Sequence, residues 1–245
     1  MAIAAVEIGG SSAVVRHLVL FDIDGTLLLC GRQIGPLFVN ALAAAFGDGV
    51  EIRRPDGYQF AGKTDPRIAL DLLSWTGMPR EKVLARLPDV QRLYFDSLET
   101  GLDVGHMRLM PGVVPLLERL AERDDVALGL LTGNWQRGAE IKLSRFDLGR
   151  FFPFGAYGDD AVDRRDLVPV AMARGAATTG REFEPEEVWI VGDSLLDVDC
   201  AQAAGARSLA VATGFTAIEE LRAAGPDYVF PDLVEASREV ELFRL

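Results

Sequence analysis

Two periodicities alternate along this chain. Short, nearly continuous apolar runs at 18–21, 126–131, 188–191, 207–212 and 228–230 predict buried strands, and 151–156 predicts a shorter one. Between them, 112–122, 135–147, 166–179, 195–204 and 217–224 carry apolar residues at helical spacing, and the tail is helical as well. Strands alternating with helices predict a parallel sheet covered on both faces, a doubly wound, Rossmann-like α/β core. Ligands gather at the carboxyl ends of the strands in such sheets. Here the first run ends at Asp22, the second at Thr132 and a later one at Asp193. Three polar clusters from distant parts of the chain therefore converge on one edge.

From 31 to 107 the pattern is helical, with no convincing strand. Phe38, Ala41, Leu42, Ala45 and Phe46 make one stripe that ends at Gly47. Asp65-Pro66 reads as an N-cap followed by proline at the first helical position, and Ile68, Ala69, Leu72 and Leu73 continue that helix. Residues 80–100 predict another helical stretch, broken or restarted at Pro88. Trp75, Tyr94 and Phe95 are expected in the core of this unit. The predicted organisation is a split α/β core, 1–30 plus 108–245, with an all-helical cap inserted at 31–107. Gly31 and Gly105 stand near the two crossings, where glycine absorbs the backbone rotation that a lid requires.

Composition narrows the partners. At 245 residues, 49% of them hydrophobic, the chain can fill a full core. A net charge of −12 argues against nucleic acid and anionic membranes, but not against a small phosphorylated substrate, which needs only a local positive site. No apolar run approaches the ~20 residues of a membrane span. Residues 1–16 carry Glu7 and no basic start, so they read as a loose or strand-like extension rather than a signal peptide. Cys30 and Cys200 fit no metal-ligand spacing and read as ordinary buried or half-buried thiols in a reducing compartment, the cytoplasm. His17 and His106 are expected at the surface or a domain boundary.

The chemistry concentrates at the strand ends. Asp22 and Asp24 stand two residues apart where the first strand stops, so their side chains start out the same way, and Gly25 allows a close backbone turn. Two acids held together repel and lose solvation, which makes the position costly without a cation. Thr132-Gly133-Asn134 offers a hydroxyl and backbone N–H groups before a helix, an arrangement that suits a phosphate oxygen and equally a simple helix cap. Gly192-Asp193 is followed four residues later by Asp197, which one helical turn brings back to the same side. An oxygen-only cluster of this kind suits Mg²⁺, which takes few carboxylates, several waters and a substrate phosphate oxygen.

Asp22-Ile23-Asp24-Gly25-Thr26 after a hydrophobic strand resembles the first signature of the haloacid dehalogenase superfamily of phosphatases and phosphomutases. Thr132-Gly133-Asn134 resembles the second and Gly192-Asp193 with Asp197 the fourth. The third calls for Lys or Arg, commonly as Lys-Pro near a helix start; this chain has Asp163-Arg164-Arg165-Asp166, with Arg164 read as the cation and Arg165 as the alternative. The insert resembles the small helical cap of phosphoglycolate-phosphatase-like and β-phosphoglucomutase-like members, and Gly62-Lys63-Thr64-Asp65 their substrate-facing cap loop. The resemblance implies Mg²⁺-dependent hydrolysis of a small phosphate monoester. Asp22 is the implied nucleophile and Asp24 the implied acid and base. Thr132, Gly133, Asn134 and Arg164 would hold the phosphoryl group, and Lys63 an anionic group of the substrate. Asp22, the Asp24 carbonyl and Asp193 would hold the metal, with Asp197 supporting. Alternatives are a phosphomutase using the same residues, a phosphonate hydrolase with Lys63 as its amine, and a non-enzymatic receiver-like phosphoacceptor module.

Overall fold

The computed structural model describes residues 15–239 except 48–49, 51, 53 and 55; the expected extension at 1–14 and the last residues of the tail lie outside the described residues. Strand β1 (His17–Phe21) is followed by a two-residue strand β2 (Leu28–Leu29) and helices α1 (Ile34–Phe46), α2 (Asp65–Ser74) and α3 (Arg80–Gly101). The chain returns through β3 (Arg108–Leu109), α4 (Val113–Ala121), β4 (Val126–Leu131), α5 (Gln136–Ser144), β5 (Gly155–Ala156) and α6 (Leu167–Thr179). It ends with β6 (Val188–Gly192), α7 (Leu195–Ala204), β7 (Arg207–Val211), α8 (Ile218–Ala223), β8 (Tyr228–Phe230) and α9 (Leu233–Arg238). The main sheet is parallel, in the order β5-β4-β1-β6-β7-β8. Alternation along β1 sends Val19 and Phe21 into an apolar cluster with α4, α5 and α9, while Leu18 and Leu20 pack on α6 and α7. Helices therefore cover both faces, and β1, flanked by β4 and β6, carries the central strand end. Among the described residues no helix is long and apolar enough to cross a membrane.

Four expectations are corrected. Helix α3 runs unbroken through Pro88, which is exposed; the carbonyl it leaves unbonded can be hydrated, while Val83, Val90, Tyr94 and Leu98 bury the other side of the helix. The strand at 151–156 shrinks to β5, because Pro153 cannot donate to a ladder and the segment lies at the sheet edge; Leu148–Phe151 forms a 3₁₀ turn instead. Trp75 is 71% exposed, since it caps the end of α2 off the Ile68, Ala69, Leu72, Leu73 stripe, whereas Tyr94 is fully buried. His17 is buried at the amino end of β1, and that burial lowers its pKa. His106 is exposed and bonded to Asp103.

The two crossings between core and cap touch each other. β2 and β3 pair antiparallel, Leu28 opposite Leu109 and Leu29 opposite Arg108. Gly31 adopts φ +66°, and a Cβ there would lie 2.9 Å from the His106 carbonyl oxygen, so the crossing admits no side chain.

The cap does not close its apolar core alone. Trp135 and Ile141, from the strand-end loop and helix α5, join the cluster built by α1, α2 and α3. The Trp135 ring stacks on Phe38 at 5.6 Å and meets Tyr94 at 6.1 Å and Phe95 at 6.2 Å. The Trp135 N–H donates to Asp65 Oδ2 at 2.8 Å, and the Asp65 N–H donates to the Gly133 carbonyl at 2.7 Å. Thr64 Oγ1 accepts from the Arg67 N–H, capping α2, and donates to the Val162 carbonyl at 2.6 Å. The first turn of α2 is thus fastened to two loops at the carboxyl edge of the sheet. Burial pushes the Asp65 carboxyl up to about 7, against the opposing pull of Lys142 and the Trp135 N–H.

Two outcomes follow from this junction. Trp135→Ala removes the ring that fills the space between α1, α3 and α5, and should lower unfolding stability by about 3–5 kcal/mol in denaturant titration; a loss under about 1 kcal/mol would mean that the cluster collapses around the gap. Asp65 holds its proton more tightly folded than unfolded, so its contribution to stability is complete below the ordinary carboxylate range and is lost as pH rises toward about 7. Asp65→Asn, which keeps the acceptor, should flatten that decline: relative to wild type the variant gains stability between pH 4 and 8, and parallel profiles would contradict the assignment.

Candidate active site

The main chain turns back on itself directly after β1. The Gly25 N–H donates to the Leu28 carbonyl and the Leu27 N–H to the Ile23 carbonyl, both at 2.9 Å, which sets Asp22 just before a tight bend and Asp24 within it. Gly25 has φ +93°, and a Cβ there would lie 2.6 Å from the Asp193 carboxyl carbon. Glycine is required on both counts. The Thr26 hydroxyl, fully buried, donates to Asp193 Oδ1 at 3.2 Å and ties this bend to the end of β6.

Each of the two acids has its own cation. Arg164, in a 3₁₀ turn before α6, places Nη2 3.1 Å from Asp22 Oδ1 and 2.5 Å from Asp197 Oδ1, and also donates to the Leu131 and Gly62 carbonyls. Arg165 points outward to Asp199. Lys142, on α5, places Nζ 2.6 Å from Asp24 Oδ2 and 2.6 Å from Asn134 Oδ1. Its side chain is 1% exposed, that of Asp24 36%. Burial opposes charge on both cations, but the facing carboxylates hold their pKa values above the ordinary range. Burial pushes Asp22 up to about 6 despite Arg164, and pushes Asp193 well above the carboxylate range, with the charges of Asp197 and Asp22 adding to it.

The loop after β4 supplies donors. Asn134 Nδ2 donates to Asp24 Oδ2 at 2.8 Å and to Thr132 Oγ1 at 2.7 Å. A lysine can only donate, so its bond to Oδ1 fixes which way the Asn134 amide faces. Thr132 Oγ1 also accepts the Asn134 N–H, so its own hydroxyl proton is available to a bound anion. Gly133 lies under the cap loop: a Cβ there would meet the Lys63 carbonyl carbon at 2.7 Å and Thr64 Cα at 2.8 Å.

Carboxylate oxygens of Asp22, Asp193 and Asp197 lie within 4.8 Å of one another, all buried. Asp197 is committed already, through Oδ1 to Arg164 and through Oδ2 to the Ser194 N–H and hydroxyl, closing a capping box at the start of α7. Asp193 Oδ2 is buried with no partner among the described residues. An orphaned carboxylate oxygen beside a second buried acid fits a divalent cation, and one arginine does not balance three acids.

Of the residues singled out in the sequence, Asp22, Asp24, Thr132, Gly133, Asn134, Arg164, Asp193 and Asp197 come together. Lys63 does not join them. Its ammonium bonds Asp71 at 2.8 Å and lies 4.0 Å from the centre of the Tyr58 ring, both within the cap; the side chains of that loop that bond the core are those of Thr64 and Asp65. Thr26 and Lys142 were missed. Lys142 had a readable signal, a lysine beside Ala139 and Leu143 on the buried face of its helix. Both cysteines are buried thiols that burial pushes up to about 12, so neither is reactive.

Residues 19–211 match the model of the haloacid dehalogenase-like hydrolases. A phosphoglycolate phosphatase of Synechococcus elongatus is 30% identical over 228 residues, covering 89% of this chain and 95% of that protein. Phosphoglycolate phosphatase 1 of Pseudomonas aeruginosa is 29% identical, covering 89% of this chain and 77% of its own length. The crystal structure of a hydrolase from Pseudomonas syringae superposes with a TM-score of 0.67 at 20% identity, over 93% of this chain and 98% of that one, a likeness of fold. With its strand-end acids, its inserted helices and this match over most of its length, the chain belongs to the haloacid dehalogenase-like hydrolase family.

Proposed function

We propose that the protein is a Mg²⁺-dependent phosphatase that hydrolyses a small phosphate monoester by way of an aspartyl phosphate on Asp22. The observation that carries this is the division of labour at the end of β1: a buried acid on Arg164 and a half-exposed acid on Lys142, two residues apart, beside the orphaned Asp193 oxygen. The relatives named phosphoglycolate phosphatase support a small, doubly anionic substrate of the phosphoglycolate kind.

In the first step an Asp22 oxygen attacks phosphorus, the bond to the leaving oxygen breaks, and Asp24 gives that oxygen its proton. In the second, Asp24 takes a proton from water, the water oxygen attacks phosphorus, and phosphate leaves Asp22 restored. The Thr132 hydroxyl and the N–H groups at the start of α5 hold the phosphoryl oxygens while charge moves among them. Arg164 keeps Asp22 ionised and aimed, and Asp197 fixes Arg164. The metal would be held by the Asp22 and Asp193 carboxylates and the Asp24 carbonyl; when bound, it supplies the positive charge that lets a phosphate dianion enter among acids. The cap loop, lying over Gly133, excludes water from the leaving-group step.

Chelation should abolish release of inorganic phosphate and added Mg²⁺ should restore it, with Asp193→Asn shifting the Mg²⁺ requirement at least about tenfold upward, the equivalent of one lost charge-assisted ligand. Full turnover in excess chelator would remove the metal from the reaction. Asp22→Asn should leave the fold intact and turnover undetectable. Borohydride reduction of enzyme caught during turnover should convert Asp22 to homoserine, read by peptide mass; a modified residue elsewhere would displace Asp22 as the nucleophile.

A further inference from the structure

We propose that Lys142 is the positioning residue for Asp24, fixing which of its two oxygens handles the proton; the inference rests on the phosphatase reading above. Both donors to the Asp24 carboxylate, Lys142 Nζ and Asn134 Nδ2, fall on Oδ2. Among the described residues no donor reaches Oδ1. A carboxylate gripped on one oxygen by two donors cannot rotate freely, so Oδ1 is the atom left without a donor on a side chain that is 36% exposed, and the one free to meet the substrate's leaving oxygen.

Lys142 does this through two routes. Directly, its ammonium pins Oδ2. Indirectly, it accepts no hydrogen bond and so forces Asn134 to present Oδ1 to it, which turns Nδ2 toward Asp24 and Thr132. One buried lysine thereby orients the acid, the amide and the hydroxyl together. The lysine itself is held against desolvation by its acceptors, the Asp24 carboxylate and the Asn134 amide oxygen, each at 2.6 Å. A fully buried ammonium with two short acceptor contacts is an expensive feature to maintain for packing alone, where a methionine would fill the same volume.

The test separates positioning from mere structure by leaving group. Aryl and alkyl phosphates are compared with Lys142→Met and wild type as kcat/KM, which reports transfer to Asp22. An alkyl alkoxide leaves only with a proton, while dinitrophenolate leaves without one. We expect Lys142→Met to lose about 100-fold more on an alkyl phosphate than on 2,4-dinitrophenyl phosphate, within the range assigned to general acid catalysis, the smaller loss on the aryl ester reporting the Asn134 and Thr132 donors alone. In an Asp24→Asn background the same substitution should cost the same factor on both substrates. Unfolding of part of the sample lowers both rates by one factor and cannot produce the split. An equal loss on both substrates, or none, would overturn the proposal. If wild type hydrolyses none of the series, the phosphatase reading fails, and the crystal structure of Lys142→Met then decides on Lys142. Asp24 or the Asn134 amide in a new rotamer supports the assignment, and both unmoved refutes it.

Discussion

Two carboxylates two residues apart, at the end of a buried strand, set the terms for the rest of this molecule. Asp22 and Asp24 cannot share one counter-charge without drawing together, and together they repel. The fold keeps them distinct by bringing one cation from each side. Arg164 comes from the 3₁₀ turn that precedes α6 and takes the buried acid; Lys142 comes from α5 and takes the half-exposed one. The two helices that supply or follow these cations pack on opposite faces of the sheet, α5 with Phe21 and α6 with Leu20. A doubly wound sheet is well suited to this, since its faces are populated independently and meet only at the strand ends. The same separation gives one acid a closed environment and the other an open side.

The cap is bound into this arrangement rather than laid over it. Trp135 follows the Thr132-Gly133-Asn134 loop immediately and buries its ring in the cap's aromatic cluster, while its N–H bonds the first residue of α2. The loop that orients the hydroxyl and the amide is therefore held from above as well as from the sheet. Gly133 allows this by having no side chain where the cap loop passes. Packing in the cap and geometry at the site are in this way coupled through two consecutive peptide units.

Most of the fold was legible because the central strands β1 and β6 are buried throughout, α1, α6 and α7 end at Gly, and α2 and α7 are capped by Thr and Ser. β4 and β8 were read to the residue, and α7 likewise, from Ser194 before it to Gly205 after it. The failures have local causes. Pro88 reads as a break only when tertiary packing on both sides of it is ignored, and Trp75 reads as core only on composition. The site was legible where acids interrupt apolar runs at strand ends. Lys142 was only half legible: its place on the buried face of a helix marks it as unusual, but the acid it serves lies 118 positions away in sequence and no local pattern names it. Lys63 was misplaced for the complementary reason: a lysine in a loop before a capped helix says nothing of Asp71, eight residues on, which takes its charge.

The short ribbon of β2 and β3 has a mechanical consequence. Two separate tethers would let an inserted unit slide, twist and bend. Here the outgoing and returning chains are stitched side by side, Leu28 to Leu109 and Leu29 to Arg108, with Gly31 close against the His106 carbonyl. A ladder pair cannot slip by one residue without turning Leu28 and Leu109 to the opposite face, so the stitch fixes the register at which the inserted helices leave and re-enter the sheet domain. The place of Gly62 to Asp65 over Gly133 is thereby set from two directions, by this strap and by the bonds of Thr64 and Asp65 to the strand-end loops.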